Sequence, residues 1–288
     1  MNFNTDILFI SIIIVNTLSG CSKSDSKIVN LNNGKIGIVG HGGNGFQSEL
    51  NHLPHNSFGS IIKAIEGNQA DGVELDVQMS KDEQLILYHD RTLQSMTNCH
   101  DCISNNVSSD ILKCKYKNNF STNVLEDENV IDLELVIERL SARKIKPILF
   151  LDIKMFNKCD NDFKNRMLFA KNISEIILKH NAKKWIKVQS TSIDFLNILQ
   201  QSNTEIHLIL EGGNGKETIE MAKSKNFYGI VSSNNSISYE EVKQAHSVGL
   251  NVILFNVKTR AGTIEAINKH PDFIITDNIL LLQKCLKK

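Results

Sequence analysis

From residue 35 onward, short runs rich in Ile, Val and Leu alternate with amphipathic stretches. The apolar runs fall at 36–40, 72–77, 147–153, 185–189, 206–210, 229–233, 251–257 and 272–276. Most lack a strict apolar–polar alternation, which is the pattern of parallel strands covered on both faces. Between them, at 57–67, 132–144, 162–180, 193–201, 216–225, 239–248 and 260–268, apolar residues recur three and four apart, and a last such segment follows at 279–286. That spacing lines one stripe of a helix. Eight strand–helix units predict an α/β fold closed as a (β/α)8 TIM barrel. An open, doubly wound sheet is the alternative that strand counting leaves standing.

Residues 78–130 break the alternation. They hold an apolar run at 85–89, read as a strand extension or hairpin, and then a polar segment rich in Asn, Ser and Cys. An insertion after the second strand opens at the C-terminal mouth of a barrel, where loops shape active sites.

The first residues follow another pattern. Residues 7–18 are apolar except for Ser11, Asn16 and Thr17. The run is shorter than the roughly 20 residues that span a bilayer, and it reads as the hydrophobic region of a signal peptide. A buried first strand is the plainer alternative. The run ends in Leu18-Ser19-Gly20-Cys21, which resembles the lipobox of bacterial lipoproteins. That resemblance implies cleavage before Cys21 and a diacylglycerol on its sulfur. It makes the chain an exported lipoprotein, anchored to a membrane of a bacterial cell envelope. Met1 to Asp6 lack the Lys or Arg usual in such peptides. The expected organisation is a signal peptide over 1–20, a polar tether over 21–33 and a barrel domain over 34–288.

Composition narrows the partners. Lys plus Arg and Asp plus Glu are balanced at 32 each, so no basic surface points to nucleic acid. Five cysteines remain beyond Cys21: Cys99, Cys102, Cys114, Cys159 and Cys285. Cys99-His100-Asp101-Cys102 invites a zinc reading, but no second cluster with ligand spacing accompanies it. A surface-loop disulfide such as Cys99–Cys114 is favoured for an exported chain, with free thiols as the third state.

Four groups fall where barrel enzymes keep their chemistry, at the C-terminal ends of strands. They are His41, Glu74-Leu75-Asp76, His89-Asp90 and Asp152-Ile153-Lys154. Side chains alternate along a strand, so Glu74 and Asp76 share a face, as do Asp152 and Lys154. If those faces point inward, three carboxylates converge. Adjacent buried anions repel, and one divalent cation relieves the repulsion. All-oxygen ligation favours Mg²⁺ or Ca²⁺.

These residues, in this order, resemble the glycerophosphodiester phosphodiesterase family. The stretch from Asp71 to Asp82 followed by His89-Asp90 carries most of the likeness. Gly40-His41, Pro54-His55-Asn56-Ser57, Asp152-Ile153-Lys154 and Ile274-Ile275-Thr276-Asp277 extend it across nearly the whole barrel domain. The resemblance implies hydrolysis of small glycerophosphodiesters to glycerol phosphate and an alcohol. It assigns Glu74, Asp76 and Asp152 to one metal ion, and His41 and His89 to acid–base work. Lys154 becomes a cation near the phosphate, and Phe255 an apolar wall against the substrate.

Three departures qualify this. Gly42 stands where the family usually has Arg, Asp152 replaces a Glu, and His55 replaces the Glu of a Pro-Glu-Asn-Thr element. Asp-x-Lys and a first His without Arg also resemble the sphingomyelinase D-like enzymes, which form cyclic phosphates from phospholipids. A catalytically inactive barrel lipoprotein that binds phosphodiesters or glycans is the third reading. Residues 40–45 satisfy G-x-G-x-x-G formally, but no helix follows at once, so they read as a loop that lets backbone approach the site. His52, His100, His180, His207, His246 and His270 read as surface or core residues; His55 stays ambiguous because it lies near the expected site.

Overall fold

The computed structural model describes residues 35–48, 51–117, 128–156, 158–159, 163–203 and 205–286. The expected signal peptide, Cys21 and the tether lie outside the described residues. No helix among the described residues is long and apolar enough to cross a membrane.

Among the described residues, ten strands follow one another: β1 (Gly37–Gly40), β2 (Gly72–Met79), β3 (Leu85–Leu87), β4 (Ile131–Asp132), β5 (Ile148–Ile153), β6 (Ile186–Ser190), β7 (His207–Glu211), β8 (Gly229–Ser233), β9 (Asn251–Val257) and β10 (Phe273–Thr276). Eight of them, β1, β2 and β5–β10, pair in parallel, and β1 pairs with both β2 and β10, so the sheet closes. This is the TIM barrel expected from the alternation, and closure rules out the open sheet.

The helices are α1 (Phe58–Ile62), α2 (Ser108–Ile111), α3 (Leu133–Ser141), α4 (Phe163–Lys179), α5 (Ile193–Ser202), α6 (Gly215–Ser224), α7 (Tyr239–Ser247), α8 (Arg260–Asn268) and α9 (Ile279–Leu286). All but α2 lie between or after the barrel strands. Polar side chains start them: Ser57, Asp132, Ser192, Asn214 and Thr259 each accept a backbone N–H at a helix start, and Ser238 forms a reciprocal capping box with Glu241. The first predicted helix differs from expectation, because α1 passes into a π-helical turn over Lys63–Gly67.

The strands are buried on both faces. On β2, Val73, Leu75 and Val77 belong to the core packed under the helices. The inward positions of the barrel form a second apolar layer of Val39, Phe150, Ile209, Val231, Ile253 and Ile275. Gly37 leaves room for the Phe273 ring at the base: a Cβ there would lie 2.3 Å from that ring. Beside and above this layer the inward positions turn polar, at Glu74, in register with Phe150, at Gln189, in register with Ile209, and at Asp76 and Asp152. The alternation of each strand thus sorts its residues into an apolar plug below and a chemical layer above.

The insertion after β2 is a small unit of its own. β3 turns back antiparallel to β2 and pairs with β4, the hairpin expected over 85–89. Ile86, Tyr88, Leu93, Ile103, Ile111 and Val130 make a separate core. Two disulfides fasten it, Cys99–Cys114 and Cys102–Cys159. The zinc reading of Cys99-His100-Asp101-Cys102 is thereby corrected: both cysteines are consumed as cystines, and a thiol so bonded cannot ligate zinc. Cys285 is free and buried.

Candidate active site

Every candidate catalytic, metal-ligating or substrate-binding residue within the described part of the chain lies at the C-terminal mouth of the barrel. His41, Glu74, His89, Asp152, Lys154 and Phe255 line one cavity of about 180 Å³, together with Phe46, Gln189, Glu211 and Ile275. Asp76 lies behind them, buried.

Two strand ends build the acidic layer. Asp76 on β2 sits in register with Asp152 on β5, and Glu74 is one inward position below Asp76. The carboxylates of Glu74, Asp76 and Asp152 offer oxygens that all lie within 4.8 Å of one another. All three residues are buried. The cation among them is Lys154, whose Nζ is 3.2 Å from Asp76 Oδ1 and 2.5 Å from Asp152 Oδ2. One lysine does not balance three carboxylates. Burial, and then Asp76 and Asp152, push Glu74 well above the carboxylate range. Burial also raises Asp152, against the pull of Lys154. For Asp76, burial acts upward, but Lys154, His89, the Asn56 hydrogen bond and His41 outweigh it and hold the group low. Lys154 itself is raised: burial opposes its charge, and Asp76, Asp152 and Glu74 outweigh that. A compact set of oxygens with surplus negative charge suits a hard divalent cation. Glu134, Glu138 and His180 form another compact group outside the barrel, where Lys179 Nζ already pairs with Glu134 at 2.6 Å.

Two histidines flank this layer, each oriented by an aspartate. His41 Nδ1 is 2.8 Å from Asp277 Oδ1, and His89 Nδ1 is 2.7 Å from Asp90 Oδ1. A carboxylate on Nδ1 fixes the ring and leaves Nε2 for other partners. His41 Nε2 indeed lies 3.9 Å from Glu74 Oε2. The Asp90 hydrogen bond raises His89, and Asp90 falls to about 2. Gln78, buried on β2, holds the backbone on either side of His89: its Nε2 donates to Tyr88 O at 2.7 Å and Asp90 O at 2.9 Å. Asn56 performs the same service for Asp76, donating from Nδ2 to Oδ2 at 2.7 Å and accepting the Asp76 N–H at 3.0 Å.

The glycine loop after β1 closes one side. Gly42 has φ +53 and donates its N–H to Glu74 Oε2 at 3.0 Å. A Cβ on Gly42 would lie 2.6 Å from His55 Cβ, so His55 fills the space that any side chain at 42 would need. The two departures from the family pattern, Gly42 and His55, are therefore coupled. His55 is buried, its Nδ1 has no hydrogen-bond partner among the described residues, and burial lowers it to about 4. Its ring packs on Phe46, with centroids 4.5 Å apart, and stands 5.5 Å from His89. Among the histidines read as surface or core, His207 lies at the base of the barrel interior, stacked on Tyr228.

Sequence reading assigned no role to Asp277, Asp90, Asn56, Gln78, Gln189 or Glu211. Asp277, Asp90, Asn56 and Gln78 stood inside the stretches that carry the family likeness. Glu211 and Gln189 carried no motif; only their place at strand ends marked them. Burial, then Asp152, push Glu211 up to about 7.

Several solved structures share this barrel. One from Silicibacter pomeroyi superposes with a TM-score of 0.78 at 14% identity, covering 89% of this chain and 96% of its own. A glycerophosphodiester phosphodiesterase from Parabacteroides distasonis gives 0.72 at 20%, covering 88% and 97%. A phosphodiesterase from Oleispira antarctica, solved with the product sn-glycerol-3-phosphate, gives 0.74 at 15%, covering 88% and 98%. No curated protein matches the chain in sequence. Residues 45–281 match the glycerophosphoryl diester phosphodiesterase family, a span that takes in every strand from β2 to β10 and most of the cavity. The chain belongs to that family.

Proposed function

We propose that the protein hydrolyses small glycerophosphodiesters to glycerol phosphate and an alcohol, with one Mg²⁺ or Ca²⁺ held by Glu74, Asp76 and Asp152. The observation that carries this reading is the placement of two Asp-oriented histidines, His41 and His89, on one cavity with three buried carboxylates and Lys154.

The cation, when bound, supplies positive charge to offset the phosphate and the charge that grows on its oxygens. The chain's own residues do the rest. Lys154 adds a second positive charge beside Asp152. One imidazole removes a proton from the attacking water, and the other returns a proton to the departing alkoxide. Asp277 and Asp90 hold the two rings and stabilise them when protonated. Phe255 and Ile275 form an apolar side of the cavity. Membrane anchoring through a lipidated Cys21 completes the proposal, since one or two acyl chains decide between weak and stable attachment; mass spectrometry that finds unmodified Cys21 in the mature protein would remove it.

Phosphorus NMR of the purified protein with a panel of phosphodiesters, and with Mg²⁺ or Ca²⁺ added, tests the reaction. A phosphomonoester product is expected. A cyclic phosphate from a phospholipid would give the site to a sphingomyelinase D-like reaction, which Gly42 and Asp152-Ile153-Lys154 favour as the second reading. No product from any diester would make the barrel a binding protein.

A further inference from the structure

Phe46 lines the active-site cavity from the glycine loop after β1, and its ring meets both acid–base histidines. Its centroid lies 4.5 Å from that of His41 and 5.5 Å from that of His89, with interplanar angles of 79° and 87°. These are edge-to-face aromatic pairs. His55 packs on the same phenyl ring at 4.5 Å and stands edge-on to His89 at 5.5 Å, so support reaches His89 by two routes. The loop is built to seat Phe46 there. Gly45 has φ +94, and a Cβ on it would lie 2.4 Å from Asp277 O, so only glycine lets the loop come this close to the end of β10. The Gly45 N–H donates to His41 O at 2.9 Å. The Phe46 N–H reaches Asp277 Oδ1 at 3.4 Å, the same oxygen that meets His41 Nδ1. Asn51 pins the loop from the other side: its Nδ2 donates to Gly45 O at 2.8 Å, and its Oδ1 accepts from Asn44 Nδ2 at 3.1 Å. The glycine string at 40–45 thus serves to place one aromatic side chain.

The aspartates alone do not fix the two imidazoles. A hydrogen bond at Nδ1 grips the ring beside its point of attachment. Nε2, the atom left to exchange protons, lies on the far side and swings furthest when the ring turns. A contact on the flank of the ring stops that swing, and a misplacement of about 1 Å in such a site costs about 10²-fold in rate. Resting on the phosphodiesterase reading above, we propose that Phe46 is a positioning residue: its one phenyl ring braces His41 and His89 together and fixes the spacing between their Nε2 atoms.

Relaxation NMR on the purified protein, labelled in its histidine rings and held in excess chelator, tests the brace without turnover. His41→Ala and His89→Ala assign the two signals. Phe46→Leu, which stays apolar but removes the ring, increases the ring motion of His41 and His89 and leaves that of His207, at the base of the barrel, unchanged. Phe46→Tyr, which keeps the ring, leaves all three as in the wild type. Melting curves of both variants certify folding. With metal and a natural glycerophosphodiester, Phe46→Leu lowers kcat about 10- to 100-fold while KM changes by less than about 3-fold, and Phe46→Tyr restores most of the loss. Unchanged ring motion in Phe46→Leu overturns the proposal. So does a rise in KM alone, which would make Phe46 a wall for the substrate, or looser rings with the kcat of the active wild type. A loss in Phe46→Tyr as large as in Phe46→Leu overturns it too. A wild type that cleaves no diester, with both rings loosened by Phe46→Leu, would instead defeat the phosphodiesterase reading and leave the brace standing.

Discussion

Lys187 stands on the inner face of β6 at the base of the barrel, 4% exposed, with its Nζ 3.0 Å from His207 Nδ1 and 4.3 Å from the centre of the Tyr228 ring. Burial lowers it to about 8. A lysine whose folded pKa is depressed binds its proton more tightly when unfolded, so its burial costs stability below pH 8, and stability returns as pH rises toward the unfolded value near 10.4. Lys187→Met should therefore raise stability at pH 7, by up to about 3 kcal/mol from the size of the shift. The gain should shrink between pH 8 and pH 10. Urea melts at pH 7 and pH 10 check this, and an equal gain at both would contradict it. At the same scale, the sequence revealed His41, His89, Glu74, Asp76, Asp152 and Lys154, because each ends or follows an apolar run. It did not reveal their supports. His41 meets Asp277 across 236 residues, a contact that exists only because β1 and β10 are neighbours in a closed barrel. Gln189 is a neutral residue in a strand, and nothing local distinguishes it from a polar residue facing water.

The elements were more legible than the contacts. All eight barrel strands lie where the apolar runs fall, since a parallel strand covered on both faces leaves an unbroken run. The π-helical turn at Lys63–Gly67, where the Asn68 N–H donates to Lys63 O five residues back, was not legible, because nothing in its composition distinguishes it from an α-helical turn. The Cys102–Cys159 disulfide was missed for a related reason: its partners are 57 residues apart and meet only once the insertion folds beside the loop after β5. That bond joins the insertion, which carries His89, to the segment that follows Asp152 and Lys154. Chain entropy gives it about 4 kcal/mol, against about 3 kcal/mol for the 15-residue Cys99–Cys114 link. Replacing both Cys102 and Cys159 by Ser should cost more stability than the same change at Cys99 and Cys114. It should also lower turnover, because both walls of the cavity lose their tie. Urea melts and rates for the two double variants decide this, and the reverse order of stability would contradict it.

For the whole molecule, function and stability pull in opposite directions at the acidic layer. Without a cation, Glu74 is buried against Asp76 and Asp152, which raise it. Glu74→Gln keeps an acceptor for the Gly42 N–H but removes a carboxyl whose ionisation the buried site penalises, so in excess chelator the variant should melt higher than the wild type. On adding Ca²⁺ the wild type should gain stability by binding, and the variant much less. Identical melting in chelator, or an undiminished Ca²⁺ response in the variant, would contradict a metal at these carboxylates. The central claim is that two aspartate-oriented histidines beside that layer divide acid and base work on a phosphodiester. A general acid contributes about 10²–10⁴-fold, but only where the leaving group needs a proton. Nitrophenolate leaves without one, and a sugar or choline alkoxide does not. The direct measurement is the rate of His41→Ala and His89→Ala on a natural glycerophosphodiester and on a nitrophenyl phosphodiester, with metal present. One variant should be crippled on the natural substrate and far less impaired on the nitrophenyl ester, while the other is impaired on both. Equal losses on both substrates for both variants, or a wild-type rate for either on the natural substrate, would contradict the account.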